Sequence, residues 1–443
     1  MESQAGHCSS TIRMRPASPD KRVPEPAALR PVQLAWLAAA VFVVSAGYGA
    51  LMPVLPGWLS SLMPGASAAE VARQVGFFSG VYAAGVLVGA PLWGAISDRV
   101  GRTRILIIGL VGYVASQLLM LVPGLEILWG LYVLRTATGF FVAAVVPVVS
   151  ALVAEHTPEN KRARRFAWHS AMSLLGFLFG PGLGEAAGGA ISWAGAGVPT
   201  AATSARVVIM LSALLGAAMM LGLARTLPSG GAPAEAAQKD STTPGEDHTA
   251  ALCWLSGVVT MVLAGFELGI VLQGQQHIGM SSRQVAMMFA ECSLAMLVVN
   301  GLLFLSGLLE KIPSRMPIVA GLFLAISGLA VMAWHGAEAW LYVGIGLTSA
   351  GTGLVLPVIA YLAAGVPRQK LGTTMGALAA SAGLGQTLGS SLGGWLFGAL
   401  AQGSFGILIA PLLMLLILLL ARPLWWSAKP VIRLIPVQID RLG

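Results

Sequence analysis

Charge is what this 443-residue sequence has least of: Asp, Glu, Lys and Arg make up 10% of it, against 56% hydrophobic residues. So few ionised side chains cannot clothe a fold of this length in polar surface, which excludes a water-soluble domain. Cysteine is equally scarce. Cys8, Cys253 and Cys292 lie far apart, so neither a disulfide framework nor a zinc site is expected. The chain also has no phosphate-binding P-loop, no His-rich cluster and no serine in a nucleophile elbow, so no enzymatic chemistry, cofactor or metal is expected. The formal charge of +8 would suit nucleic acid. The basic residues, however, sit in short loops between apolar runs, where a membrane surface explains them and no nucleic-acid partner is required.

Apolar runs are what the sequence has in abundance. A hydrocarbon core of ~30 Å needs ~20 residues at a rise of ~1.5 Å each, and runs of that length recur down the chain. The pattern predicts helices over 33–60, 74–97, 104–122, 125–153, 166–190 and 205–225, then over 250–277, 284–308, 316–335, 338–364, 372–400 and 403–422. The expected architecture is an all-α membrane protein: twelve transmembrane helices in two pseudo-symmetric six-helix bundles, residues 32–226 and 250–422. Residues 1–31, basic and proline-containing without an apolar core, read as a disordered cytosolic tail rather than a cleaved signal. Residues 227–249, rich in Pro, Gly, Ser, Thr and acids, read as a cytosolic linker, and 423–443 as a second cytosolic tail. With the amino terminus cytoplasmic, 22 of the 26 lysines and arginines fall on the cytoplasmic side. Only Arg73, Arg206 and Arg283 fall outside, and Arg135 lies within a span, so both termini are placed in the cytoplasm.

The halves resemble each other. Ala46-Gly47-Tyr48-Gly49 in span one parallels Ala264-Gly265-Phe266-Glu267 in span seven, and Gln74-Val75 parallels Gln284-Val285. Gly180, Gly184 and Gly188-Gly189 in span five parallel Gly385, Gly389 and Gly393-Gly394 in span eleven. Glycine at every fourth position leaves a bare helix face that a neighbour can approach. Six-span repeats with a site between them are a transporter architecture.

Between spans two and three stands Gly94-Ala-Ile-Ser-Asp-Arg-Val-Gly-Arg-Thr-Arg104. This segment matches the G-x-x-x-D-R-x-G-R loop signature of the major facilitator superfamily, which the chain resembles from Val32 to Arg422. The resemblance implies that Gly94, Asp98, Arg99, Gly101 and Arg102 form an inner gate, latching the halves on the cytoplasmic side. The bland alternative is that the charges merely anchor the loop. A weaker counterpart stands near Glu310, Lys311 and Arg315. Arg135 with Gly139 matches the family's R-x-x-x-G pattern, associated with proton coupling. Gly176, Gly180, Pro181 and Gly184 resemble its antiporter motif, in which Pro181 favours a bend, although Glu185 stands where glycine is usual and plain helix packing would also use these glycines. The stretch Gly47 to Pro56 is similar to the first span of tetracycline/proton antiporters, but Ser45 replaces their aspartate and span one holds no acid.

An ionisable group inside a span costs several kcal/mol unless it faces a cavity or a partner (about 2.5–3.5 on insertion scales). Four stand well within spans: Arg135, Glu185, Glu267 and Glu291. At ~1.5 Å per residue, Arg135 and Glu267 lie roughly 15 Å from the outer ends of their spans and Glu291 about 10 Å. The three therefore fit one central cavity. Burial disfavours a charged carboxylate, so such a group can load and release a proton near neutral pH, or bind a positive group of a substrate. Arg135, Glu267 and Glu291 are the substrate and proton-coupling candidates, with a structural ion pair of Arg135 and a glutamate as the alternative. Glu185 and Glu126 lie nearer the outer mouth. Gln273, Gln275 and Gln276 read equally as ligand contacts or as a wet helix end. Asn300 and Gln386 are cavity polars or interhelical bonds, and Tyr48, Tyr82 and Phe266 an aromatic wall or ordinary packing. Trp36, Trp58 and Trp425 are expected in interfacial belts.

The combined expectation is a secondary transporter of the inner (plasma) membrane, a monomer in the lipid bilayer. It would export a small organic compound (a drug, metabolite or siderophore) in exchange for protons. A facilitator or importer of the same fold is the alternative, followed by a transport-dead sensor.

Overall fold

The computed structural model describes residues 29–157, 168, 171–184, 186, 189, 200–227, 249–305, 312–364 and 368–421. The expected tails and linker fall almost wholly outside these residues, as do Glu185, Gly188, Glu310, Lys311 and Trp425. Among the described residues every regular element is helical. Ten helices are long and apolar enough to cross a membrane.

The first six spans run Pro31–Leu62, Ala68–Val100, Arg102–Leu119, Leu128–Val142 continued by Val146–Glu155, Ala171–Gly184, and Ala201–Thr226. The second six run Thr249–Leu272 with the π-turn Gln273–His277, then Ser282–Leu305, Arg315–Trp334, Glu338–Ala364, Arg368–Leu400 and Gly403–Ala421. The chain is an all-α membrane protein.

Local chemistry sets the ends. Span two begins at Ala68, a turn and a half earlier than hydropathy suggests. Ser67 Oγ accepts from the Glu70 amide at 3.3 Å, and Glu70 Oε2 accepts from the Ser67 amide at 2.8 Å. This capping box starts the helix through residues too polar to register as apolar. Span eight opens on the same device, Ser281 with Gln284, at 3.3 and 3.0 Å. Gln284 is therefore the positional equivalent of Glu70, and the paired Gln-Val dipeptides are offset by four residues. Two prolines, Pro53 and Pro56, deprive span one of donors, and the helix tightens to a 3-10 turn at Met52–Val54. Pro147 follows a similar break in span four, where Ala144 and Val145 bond three residues back.

The packing repeats as the sequence does. Spans one and six, two and four, three and four, and three and six pack together in the first half. Their counterparts, seven and twelve, eight and ten, nine and ten, and nine and twelve, pack in the second. The glycine motifs complete the set. A Cβ on Gly176, Gly180 or Gly184 would stand 2.5, 2.6 or 3.1 Å from the carbonyls of Phe42, Ala46 and Ala50, so spans five and one touch backbone to backbone. Gly385 and Gly389 press in the same way on the Gly257 and Met261 carbonyls of span seven.

One long seam joins the halves, along spans two and eleven. At the end carrying the Gly65 turn it is closed. A Cβ on Gly398 would lie 2.8 Å from the Ala69 carbonyl, and one on Gly76 2.7 Å from Gly394 Cα. Gln275 Nε2 donates across the halves to the Pro53 carbonyl at 2.5 Å, at the same end. Toward the Gly101 end, a Cβ on Gly383 would lie 3.3 Å from Leu87 Cα, and one on Gly94 or Gly376 would meet no described atom within 4 Å.

Candidate functional site

Arg135 stands on the inner face of span four with 1% of its surface exposed. Three rings enclose its guanidinium: Tyr82 at 4.4 Å from the centroid, and Tyr48 and Phe78 each at 5.4 Å. Span two supplies Phe78 and Tyr82, four residues apart and so on one helix face. They come this close because Gly139, one turn beyond Arg135, lies against the Tyr82 carbonyl where any Cβ would collide. The R-x-x-x-G spacing therefore has a structural reason: the glycine admits the ring that covers the arginine.

The cage does not neutralise the charge. Among the described residues, Arg135 Nε and Nη2 have no hydrogen-bond partner. The ion pairs among the described residues are Arg73–Glu70 and Arg206–Glu126, so the alternative of an Arg135–glutamate pair is not found among them. A desolvated cation–π contact contributes about 2 kcal/mol. Burying the ion costs several, so the rings offset only part of the penalty. No described carboxylate lies within 4 Å of the guanidinium.

The two candidate acids lie in the other half. The Tyr48 hydroxyl lies in the electrostatic field of both Glu267 on span seven and Arg135, with Gln386 of span eleven in its vicinity. Glu291 on span eight has Oε1 beside Gly346 of span ten, where a Cβ would be 3.3 Å away, and Oε2 buried without a described partner. Cys292 lies in the field of both glutamates and meets Ser349. Arg135 and Glu267 thus share Tyr48 as a neighbour, and Glu267 and Glu291 share Cys292. Phe78, Cys292, Gly346 and Ser349 were not singled out from sequence; the Phe78–Tyr82 spacing was the available signal. A hollow of about 470 Å³ at the Gly65 end, lined in part by Glu70, Arg73 and Phe77, does not reach these groups.

The other expected residues lie elsewhere. Gly101, with φ of 102°, makes the turn between spans two and three in a conformation that favours glycine. Arg102 donates to Ser97 Oγ at 2.7 Å, and Arg99 is exposed. Asp98 is helical, and its side chain lies outside the description. Arg315 donates to the Leu419 carbonyl at 2.9 Å, at the end of span twelve. Ser45 Oγ bonds Ser173 Oγ of span five at 2.9 Å. Glu126 pairs with Arg206 at 2.5 Å, and the Trp58 indole donates to it at 3.4 Å. Trp58 is wholly buried and packs edge-on to Phe78, 6.1 Å between centroids, which corrects its assignment to an interfacial belt. Its neighbours Pro56 and Leu59 are apolar, but the helix turns the indole inward. Phe266 is also fully buried, as core packing rather than wall. Gln273 is buried, Gln275 belongs to the closed end, and Asn300 bonds its own helix at the Met296 carbonyl.

Comparisons with known proteins agree with this architecture. The human organic anion transporter MFSD10 (TETRAN) superposes with a TM-score of 0.69 over 88% of this chain and 100% of that one, at 19% identity. The class G tetracycline resistance protein of Vibrio anguillarum is 36% identical over 143 residues, 32% of this chain and 35% of that protein. The quinolone resistance protein NorA of Staphylococcus aureus is 28% identical over 144 residues, with the same shares. These matches span about a third of the length of each curated relative. The sequence model of the Major Facilitator Superfamily matches residues 37–334 and 253–433. With that match covering nearly the whole chain, and with the repeated six-span packing around Arg135, the protein belongs to the Major Facilitator Superfamily.

Proposed function

We propose that the chain is a secondary transporter that exports a small organic compound (a drug, metabolite or siderophore) by alternating access, in exchange for protons. The observation that carries this reading is Arg135: a buried cation on span four whose Nε and Nη2 have no described hydrogen-bond partner, with the membrane-embedded Glu267 and Glu291 on spans seven and eight of the other half. An unpaired buried charge is costly, so a conformation that brings a carboxylate to it is favoured when that carboxylate is ionised and not when it is protonated. Protonation then biases the choice between conformations, as proton exchange requires. Glu267 and Glu291 carry the proton, the positive group of the cargo, or one each.

A Cβ on Gly94 or Gly376, toward the Gly101 end, would meet no described atom within 4 Å, and the span order read from the sequence puts most of the lysines and arginines on that side. Placing that end in the cytoplasm of an inner (plasma) membrane protein turns the site toward the compartment from which an exporter loads. Closure there would engage Gly94, Asp98, Arg99, Gly101 and Arg102 as the inner gate. Gly176, Gly180, Pro181 and Gly184 keep span five bent and close against span one. The similarity to tetracycline and quinolone resistance proteins supports organic cargo. A facilitator remains the second reading, favoured by Ser45, which spends its hydroxyl on Ser173 where an acid would couple protons.

The test replaces Glu267 and Glu291 singly by glutamine and measures counterflow together with cargo-induced proton release, using tetracycline and a quinolone as probes. Each variant is expected to lose proton release or probe binding. Wild-type behaviour in both would overturn the assignment.

A further inference from the structure

Among the described residues, the only buried side-chain nitrogens without a hydrogen-bond partner are Nε and Nη2 of Arg135. The pairing has a geometric meaning. In a planar guanidinium, the N–H of Nε and one N–H of Nη2 point the same way and form a fork that matches the two oxygens of a carboxylate. The rings of Tyr82, Tyr48 and Phe78 attract the charge through their π faces and offer no lone pair there. The hydroxyls of Tyr48 and Tyr82 could accept, yet neither accepts from these two nitrogens. The cage is also braced before any ligand arrives. Tyr48 packs on Tyr82 at 4.9 Å and on Phe177 at 5.5 Å, Phe78 packs on Trp58, and Gly139 presses on the Tyr82 carbonyl. An arginine that served only to hold helices together would spend these donors, because burying an unmade donor is costly. Here the charge is stabilised and the fork is kept oriented and unspent.

We infer that the Nε–Nη2 fork of Arg135 is the subsite for a planar oxyanion of the cargo, a carboxylate or an enolised 1,3-dicarbonyl group carried on a conjugated ring. The two oxygens accept from Nε and Nη2, and the attached ring lies against the aromatic cage. Arg135 is 1% exposed, so the anion reaches the fork only as the cage parts. Tyr48 and Tyr82, at 6% and 8% exposure against none for Phe78, are the rings placed to yield. Binding therefore selects a conformation in which one of them has turned aside. A lysine in this place would meet the charge but not the paired geometry. On the exporter reading, on which this subsite depends, the oxyanion answers Arg135 and leaves Glu267 and Glu291 for the proton or the positive group. The cargo class that fits is then a zwitterion with a conjugated acid at one end and an amine at the other.

The test compares binding of a quinolone and of its methyl ester to purified full-length protein, at a pH where the acid is ionised. The two probes share ring system and amine and differ only in the carboxylate. The parent is expected to bind the acid at least about tenfold more tightly, because the ester forfeits a bidentate, charge-assisted contact. R135K keeps the charge without the fork and is expected to lose most of that preference. R135M is expected to lose all of it while still binding the ester. Melting curves separate loss of the subsite from loss of the fold, and R135K carries the test if R135M does not fold. An acid-to-ester ratio near one in the parent, a parent-like ratio in a folded variant, or equal loss of both probes there would overturn the anion subsite. Gradient-driven transport of both probes at a ratio near one would overturn the subsite alone and leave the exporter reading standing. Neither binding nor transport of either probe would overturn both.

Discussion

A buried arginine without an acid partner makes a sharp demand on stability. Replacing Arg135 by methionine removes the desolvation penalty, leaves the three rings a flexible apolar side chain to pack on, and orphans no described carboxylate within 4 Å. R135M is therefore expected to melt in detergent at or above the wild-type temperature while losing all pH-driven behaviour. A large drop in melting temperature would mean that a partner pairs with the cation. Glu126→Gln behaves differently. Its partner Arg206 is half exposed, and exposed ion pairs contribute about 0–1 kcal/mol, so melting should barely move. The candidate charges were legible in the sequence because an ionisable residue within an apolar run is conspicuous. Their mutual arrangement was not. Periodicity places Arg135 on a span but does not say whether a carboxylate or a ring meets it, and the seam chose rings. Trp58 misled for a related reason: its place near the end of an apolar run suggested a lipid interface, whereas helix rotation set it against Phe78.

Glycine faces bring several helix pairs backbone to backbone, and the contacts discriminate among glycines that look alike in sequence. Gly180→Ala would force its methyl to 2.6 Å from the Ala46 carbonyl, and Gly389→Ala into the Met261 carbonyl. Each should cost about 1–3 kcal/mol, as overpacking does. A Cβ on Gly182, two residues away, would meet no described atom within 4 Å. Gly182→Ala should be neutral or stabilise by up to about 1 kcal/mol through helix propensity. Parallel melting curves check the contrast; equal effects at Gly180 and Gly182 would contradict the backbone contact. The every-fourth-residue spacing announced these faces from sequence alone. The start of span two escaped because Ser67 and Glu70 build a helix end from polar atoms, which hydropathy scores as loop.

At the scale of the whole molecule, the close packing at Gly76 and the lack of any described neighbour at Gly94 make opposite predictions for two glycines of one span. Gly76→Leu places a side chain where Gly394 already sits, and should hold the Gly65 end apart. Gly94→Leu meets no described atom in this conformation, and should leave it intact while blocking closure of the Gly101 end. The spin-label distance at the Gly65 end is expected to lengthen in Gly76→Leu and to stay parent-like in Gly94→Leu; the same shift in both would contradict the assignment of the closed end. The two-fold repeat behind this behaviour was readable in the glycine motifs. The conformation was not, because one sequence must encode every state of the cycle.

The most direct test of the central claim is accumulation by purified protein in liposomes under an imposed pH gradient, with tetracycline and a quinolone as probes. Proton exchange predicts that an acidic lumen drives protein-dependent accumulation of probe, which collapses with a protonophore and is lost in E267Q or E291Q. Protein-dependent flux of the same size with and without the gradient would contradict it and identify a facilitator.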